Sequence, residues 1–340
     1  MSKTRILVAH HELRPSELEK IAAVSPDVEA RGAMYVNDAM LSLVRANRRP
    51  EQANDPLPDG SRFAGEAASA DVIFCLHLPP DICDMAPRLK WVQCIGAGTG
   101  QLQTAGLAEA GIRLTSGAGA NAVAIAEFVV GRVLQEWKRF REIDAAAAQK
   151  RWTPLFGRQL AGASAGLIGL GAINGNVASR LKAFGVRVLA TRKSAKRHPD
   201  VDEIYVPERL EHMLGQCDLV IAAAPSTPET AGLMNRQRFA AMRRGAFFCN
   251  VGRGNLVDEP ALIEALQSGQ LRAAALDVTN AEPMPADDPL WDAPSLYLSA
   301  HCAADPHALF VNLHRLFRDN IKRFLAGQPL INEVDLASGY

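Results

Sequence analysis

The stretch Ala165–Asn176 reads AGLIGLGAINGN: a short apolar run, two glycines spaced G-x-G, then the start of an amphipathic segment. An apolar run of this length closed by glycine predicts a buried strand. Val177, Leu181 and Phe184 fall on one helical face, and Gly185 supplies the stop. Strand, glycine turn and helix in that order suit a dinucleotide. Gly169 lets the backbone turn sharply, and Gly171 lets it approach a pyrophosphate seated on the helix N-terminus at Ala172 and Ile173. The spacing alone is common, and its strand-to-helix context is what carries the inference. One position departs from the fingerprint. The third glycine is Asn174, with Gly175 a step later, so the helix is expected to ride slightly further from the strand.

The same alternation continues in both directions. Downstream come strand patterns VRVLA, DLVIAAA, GAFFCNV and RAAALDV, separated by helical patterns PERLEHML, NRQRFAAM and EPALIEALQ. Asp258 is placed to cap the last of these helices and Gly269 to end it. Upstream, RILVAH, DVIFCLHL, LKWVQCIG and IRLTSG read as strands, and PSELEKIAAV as a helix. A long helix is expected from Asn121 to Phe140, with Ala122, Ile125, Ala126, Val129, Val133 and Trp137 on its apolar side.

The pattern predicts an α/β fold with parallel, doubly covered sheets. Residues 118–298 form a doubly wound (Rossmann) dinucleotide-binding domain. Residues 1–117 and 299–340 form a smaller, discontinuous α/β substrate-binding domain, completed by the amphipathic tail PHALFVNLHRLFRDNIKRFL. The Asp55–Gly60 and Pro283–Pro289 stretches read as loops.

Bulk properties agree. The chain has 340 residues, enough for about two domains. Its 37 basic residues balance 37 acidic ones, which argues against nucleic-acid or anionic-membrane partners. No apolar run is long enough for a transmembrane helix, and no secretory signal is visible. Cys75, Cys83, Cys94, Cys217, Cys249 and Cys302 form no C-x-x-C pair, so free thiols in a reducing cytoplasm are expected. No His/Cys/Asp spacing suggests a metal site.

Cofactor choice is read about 20 residues beyond the glycine turn, where a carboxylate would bind a ribose 2′-hydroxyl. Here stand Thr191, Arg192, Lys193 and Ser194, with Lys196 and Arg197 behind them. Cations and hydroxyls suit a 2′-phosphate, so NADP(H) is preferred and NAD(H) remains possible.

Three polar residues each follow a strand-like run: Arg253 in CNVGRG, Glu282 in ALDVTNAEP and His301 in YLSAH. Taken singly, each is more often surface decoration than chemistry. As a set, a guanidinium can hold a carboxylate and polarise a carbonyl, while a histidine exchanges a proton. The histidine needs a carboxylate beside it, whose charge favours a protonated ring. Parallel-sheet topology brings the carboxyl ends of separate strands to one crevice.

At this point the residues resemble a family. GLGAI, APSTPETAGLMN with Pro225, Thr227 and Thr230, CNVGRGNLVDEPALIEALQSG, AALDV, EPMPADDPLW and the terminal strand with His301 are similar to the D-isomer-specific 2-hydroxyacid dehydrogenases. LKWVQCIGAGTGQL and ANAVAIAEFVVGRVL resemble that family's substrate loop and interdomain helix. The resemblance implies a flavodoxin-like substrate domain, and an oxidoreductase that interconverts a 2-keto acid and a D-2-hydroxy acid, with glyoxylate or hydroxypyruvate as possible substrates. His301 would be the general acid and base, Glu282 its partner and Arg253 the substrate clamp. Backbone amides of Ala97 and Gly98 would take the substrate carboxylate. Asp277 would meet the nicotinamide carboxamide, with Pro225, Thr227 and Val251 along the cofactor. Family members close around a hinge and usually dimerise through the nucleotide domain.

Ala300, where the family usually carries proline, and Thr279, where an aromatic is usual, mark a divergent member. Ala300 is expected to leave the approach of His301 less rigidly set. A glutamine in place of Glu282 would have pointed to a formate-oxidising relative instead. A corepressor-like nucleotide sensor on the same fold is the alternative of a different class. His10, His11 and His77 leave first-domain strands, and His77 is the one placed in the substrate pocket. His307 and His314 read as structural, and Cys302 has no feature that would activate it.

Overall fold

The computed structural model describes residues 3–10, 15–35, 60–193 and 197–336. Two compact units emerge, Met1–Ala120 with Pro306–Tyr340, and Asn121–Asp305. His11, Ser194, Lys196 and most of the Asp55–Gly60 stretch lie outside the described residues. Gly60 itself opens a helix, Gly60–Ala67.

The first unit holds strands β1 (Thr4–Ala9), β2 (Val28–Gly32), β3 (Val72–Cys75), β4 (Trp91–Cys94) and β5 (Arg113–Thr115), in the order β2-β1-β3-β4-β5. All four pairings are parallel. Successive residues of a strand point to opposite faces. Leu7, Ala9, Ile73 and Cys75 therefore enter one core, and Ile6, Val8, Val72 and Phe74 the other. A strand covered on both faces must be apolar throughout, which is why VIFC and ILVA lack alternation.

The helix Pro306–Leu325 covers the second of these faces. Leu313, Phe317 and Ile321 are buried there, and Phe317 stacks on Phe74 with centroids 4.6 Å apart. On the same helix His314 is buried edge-on to Phe74, with Nδ1 3.6 Å from Glu17 Oε2. Burial holds its imidazole below the ordinary value of 6.5, against the pull of Glu17. The unfolded chain thus takes up that proton more readily than the folded one. The stability His314 contributes is complete above about pH 6.5 and is lost as pH falls through the lower folded value. Comparing His314→Phe with the parent, the fall in Tm from about pH 7.5 to pH 5 is expected to be shallower; parallel curves would remove His314 from the account.

The second unit carries β6 (Ser164–Ile168), β7 (Arg187–Thr191), β8 (Glu203–Tyr205), β9 (Leu219–Ala222), β10 (Ala246–Asn250), β11 (Leu271–Leu276) and β12 (Leu296–Leu298). Their order is β12-β11-β10-β9-β6-β7-β8, again with parallel pairings, so the strand order reverses between β6 and β9. Helices Ala122–Lys138 and Ala172–Ala183 pack Val129, Val133, Val177 and Leu181 on one face. Leu210, Phe239 and Leu262, from three further helices, pack on the other. Asp258 caps the helix Glu259–Gln267 by accepting from Ala261 N at 3.1 Å.

The limits of one helix and of the second unit differ from the expected ones. The helix expected to reach Phe140 stops at Lys138, where Arg139 adopts a left-handed conformation (φ 59°) and a second helix, Phe140–Ala148, begins. The second unit runs from Asn121 to Asp305 rather than from 118 to 298, so it includes His301. The physical reason is Asp277, after β11, which bonds the backbone through Ala303. Among the described residues no helix is long and apolar enough to cross a membrane, and no cluster of three metal-ligating side chains occurs.

Candidate active site

The carboxyl ends of the second unit's strands carry the polar residues singled out in the sequence. After β6, Gly169 takes φ 79°, and a Cβ there would lie 2.9 Å from Ala224 Cα, so only glycine fits the turn. Gly171 is extended and caps the helix Ala172–Ala183. A Cβ on Gly171 would meet nothing within 4 Å, and no acidic residue occupies the helix's first turn. Open space over a helix N-terminus without a competing carboxylate fits a pyrophosphate.

Asn174, expected to set the helix slightly back from the strand, is bonded to that strand. It is fully buried, and its Nδ2 donates to Gly169 O at 2.6 Å and Ile168 O at 3.1 Å. Hydrogen bonds thus hold the helix start to the strand end where a third glycine would allow close packing.

At the end of β7, Thr191 is buried and accepts from Gly169 N at 3.4 Å. The end of β7 is thereby tied to the glycine turn. Arg192 N donates to Tyr205 O at 3.0 Å, and Lys193 is exposed. The loop after β9 is internally tied: Thr227 N donates to Thr230 Oγ1 at 2.8 Å, and Thr230 Oγ1 to Pro225 O at 2.7 Å. Beside it, the Thr227 hydroxyl holds the Glu229 carboxyl below its ordinary range, with Lys193 contributing.

After β10, buried Val251 precedes the Gly-Arg-Gly turn. Asn250, fully buried, shapes that turn by donating from Nδ2 to Arg253 O at 2.8 Å and accepting from Gly252 N at 3.0 Å. Arg253 is exposed. Gly254 is pressed against the next loop, where a Cβ would fall 2.0 Å from Thr279 O. Thr279 N in turn donates to Glu282 Oε1 at 3.2 Å, and Glu282 Oε2 meets His301 Nδ1 at 2.8 Å. The expected carboxylate–histidine pair is therefore formed. Arg253 stands on the neighbouring strand end and is linked to it through the Gly254–Thr279 contact.

His301 has φ 51°, a left-handed conformation unusual for a non-glycine residue. Asp277 holds it there. Its carbonyl accepts from His301 N at 2.8 Å, and its buried carboxylate accepts from Ser299 Oγ at 2.7 Å, Cys302 N at 3.0 Å and Ala303 N at 3.0 Å. The constraint expected to be missing with Ala300 is supplied by these bonds. The family resemblance implies a nicotinamide contact for Asp277, and its work in anchoring the histidine loop was not visible in the sequence. The one signal for Asn250 was a polar residue closing a wholly apolar strand.

In the first unit, His77 follows β3, and Ala97 and Gly98 are exposed on the bend after β4. Gln101 Nε2 donates to Leu76 O at 3.1 Å, tying that bend to the strand end that carries His77.

Comparison with known proteins decides the family. The D-isomer specific 2-hydroxyacid dehydrogenase, NAD binding domain, matches residues 130–303, more than half of the chain. The chain belongs to this family. It is an NAD(P)-linked 2-hydroxyacid dehydrogenase. It is similar to glyoxylate/hydroxypyruvate reductase A of Serratia proteamaculans, 32% identical over 286 residues that span 81% of this dehydrogenase and 90% of that protein. Among solved structures, a D-isomer-specific 2-hydroxyacid dehydrogenase of Xanthobacter autotrophicus Py2, in complex with NADPH and MES, matches with TM-score 0.80 and 27% identity over 100% of both chains. The NADPH-dependent glyoxylate/hydroxypyruvate reductase of Sinorhizobium meliloti, in complex with NADP and sulfate, matches with TM-score 0.77 and 27% identity over 99% of this dehydrogenase and 100% of that chain.

Proposed function

We propose that this dehydrogenase reduces a small 2-keto acid of the glyoxylate or hydroxypyruvate class with NADPH, and that residues 121–305 hold the nucleotide while the first unit receives the substrate. The observation that carries the reading is the His301–Glu282 pair at 2.8 Å on a strand end beside the Arg253 turn. The Serratia and Sinorhizobium relatives, named for these two keto acids, and the NADPH of the Xanthobacter structure support the substrate class and the cofactor.

When bound, the nicotinamide supplies the hydride. The protein's part is to place and charge-balance the substrate. Amides of Ala97 and Gly98 take the carboxylate, His77 lines the pocket, and Arg253 steadies charge developing on the keto oxygen. Glu282 engages His301 Nδ1, which orients the ring and leaves Nε2 as the atom that passes a proton to that oxygen. Gly169, Gly171, Ala172 and Ile173 take the pyrophosphate, and Pro225, Thr227, Val251 and Asp277 line the rest of the nucleotide. Thr191, Arg192, Lys193 and Ser194 favour a 2′-phosphate over a bare ribose.

A homodimer through the second unit accounts for its exposed aromatic arm. Trp152 is 102% exposed and Phe156 84%, with Phe140 half-exposed nearby in the chain. A cytoplasmic setting suits the free thiols. Those of Cys217 and Cys249 are pushed up to about 12 by burial and so are kept unreactive.

The test is consumption of NADPH and, separately, NADH against glyoxylate, hydroxypyruvate and larger 2-keto acids. Arg192→Ala is expected to weaken NADPH about tenfold while leaving NADH within twofold, the signature of a lost charge-assisted phosphate contact. Equal losses for both nucleotides would remove Arg192 from cofactor choice. A chain that binds NADPH yet turns over no keto acid would shift the reading to a nucleotide-sensing protein.

A further inference from the structure

We infer that Asn174 is a positioning residue for the dinucleotide, its side-chain amide clamping the carbonyls that set the glycine turn. The inference rests on the nucleotide reading above. Asn174 occupies the position of the third fingerprint glycine and has no exposed surface. An amide nitrogen has two hydrogens to give. Both are spent on the strand end that launches the turn, at 2.6 Å on Gly169 O and 3.1 Å on Ile168 O, with Ile221 O of β9 at 3.5 Å. Ile168 O also accepts from Ala223 N at 3.0 Å. The amide therefore sits where β6 and β9 part and the strand order reverses, the place where nucleotides bind in sheets of this kind.

The geometry passes from side chain to turn through one rigid unit. A peptide group is planar, so holding the Gly169 carbonyl fixes the direction of the Leu170 N–H across the same plane. Gly169 has little room on its Ala224 side, since a Cβ built there would fall 2.9 Å from Ala224 Cα. With glycine at position 174 the carbonyl would lose this donor and its orientation would rest on packing alone. The other end of the side chain argues against a purely stabilising role. Among the described residues the buried Asn174 Oδ1 finds no hydrogen-bond partner, a cost that a side chain selected only to fill space would avoid.

The experiment measures NADPH affinity by the fluorescence of the bound nucleotide, with Tm in parallel, for Asn174→Ala, Asn174→Gly and Gly171→Glu. Alanine removes the clamp, and glycine removes it while restoring the residue such turns ordinarily carry, so it decides the matter if the alanine chain does not fold. Both are expected to raise the NADPH Kd of the folded protein, by about tenfold for alanine, as for the loss of a buried hydrogen bond. A side chain that only fills space would lower Tm and leave the Kd of the folded fraction within twofold, and that result overturns the inference. Gly171→Glu puts a carboxylate over the helix N-terminus and is expected to abolish binding. If it does while the folded Asn174 variants bind like the parent, the clamp alone is refuted. If Gly171→Glu binds NADPH normally, the nucleotide reading fails and takes the clamp with it.

Discussion

Replacing His301 by alanine is expected to lower keto-acid turnover by about 10²–10⁴-fold, the usual contribution of a positioned acid–base group, while NADPH still binds. The histidine is held at three points: its ring by Glu282, its amide by the Asp277 carbonyl, and the two following amides by the Asp277 carboxylate. So constrained a side chain has few orientations, and its effect on rate should come almost entirely from proton transfer. Glu282→Gln keeps the shape of the partner but withdraws its charge, and its loss should be smaller than that of His301→Ala. The check is kcat with glyoxylate or hydroxypyruvate at saturating NADPH. An alanine variant with near-parental kcat would exclude His301 as the proton carrier.

The second large effect is expected from a residue with no chemistry of its own. Gly254→Ala puts a methyl 2.0 Å from Thr279 O and 2.6 Å from Asn280 N, both backbone atoms that cannot swing aside. Either the Arg253 turn or the Thr279 loop must move. Moving the loop disturbs Glu282, which accepts from Thr279 N. Moving the turn disturbs the Asn250 bond to Arg253 O. Misplacement of about 1 Å at such a site costs roughly 10²-fold in kcat/KM, and overpacking of this sort destabilises by about 1–3 kcal/mol. Kinetics together with thermal unfolding test both numbers. Parental kcat/KM in the alanine protein would mean that the two loops are not coupled.

Much of this architecture was legible in the chain. The strands are short and apolar on both faces, and Gly169, Arg253, Glu282 and His301 each follow such a run, so topology alone gathers them at one edge of the sheet. What could not be read depends on contacts that exist only in the folded chain. Asn174 looked like a misfit because its acceptors, Gly169 O and Ile168 O, come within reach of its amide only once strand, turn and helix have closed on one another. Asp277 looked like one more cofactor contact because its loop partners lie beyond β12. The break at Arg139 carried no glycine or proline to announce it. The boundary at 298 followed the end of a strand pattern, whereas the folded unit continues as far as its hydrogen bonds reach.

The return of the helix Pro306–Leu325 to the first sheet also orders events at the ribosome. Asn121–Asp305 is continuous and can fold as soon as it has emerged, for domains generally fold as units during synthesis. Ile6, Val8, Phe74 and Trp91, made long before, must wait with one face only partly covered, by Ile21 of the helix Pro15–Ala22, until Leu313, Phe317 and Ile321 arrive. At roughly 5–20 residues per second that interval is on the order of ten seconds or more. The newborn chain thus carries an apolar sheet face that attracts chaperones, and a polypeptide cut short before residue 306 would leave that face permanently open to aggregation.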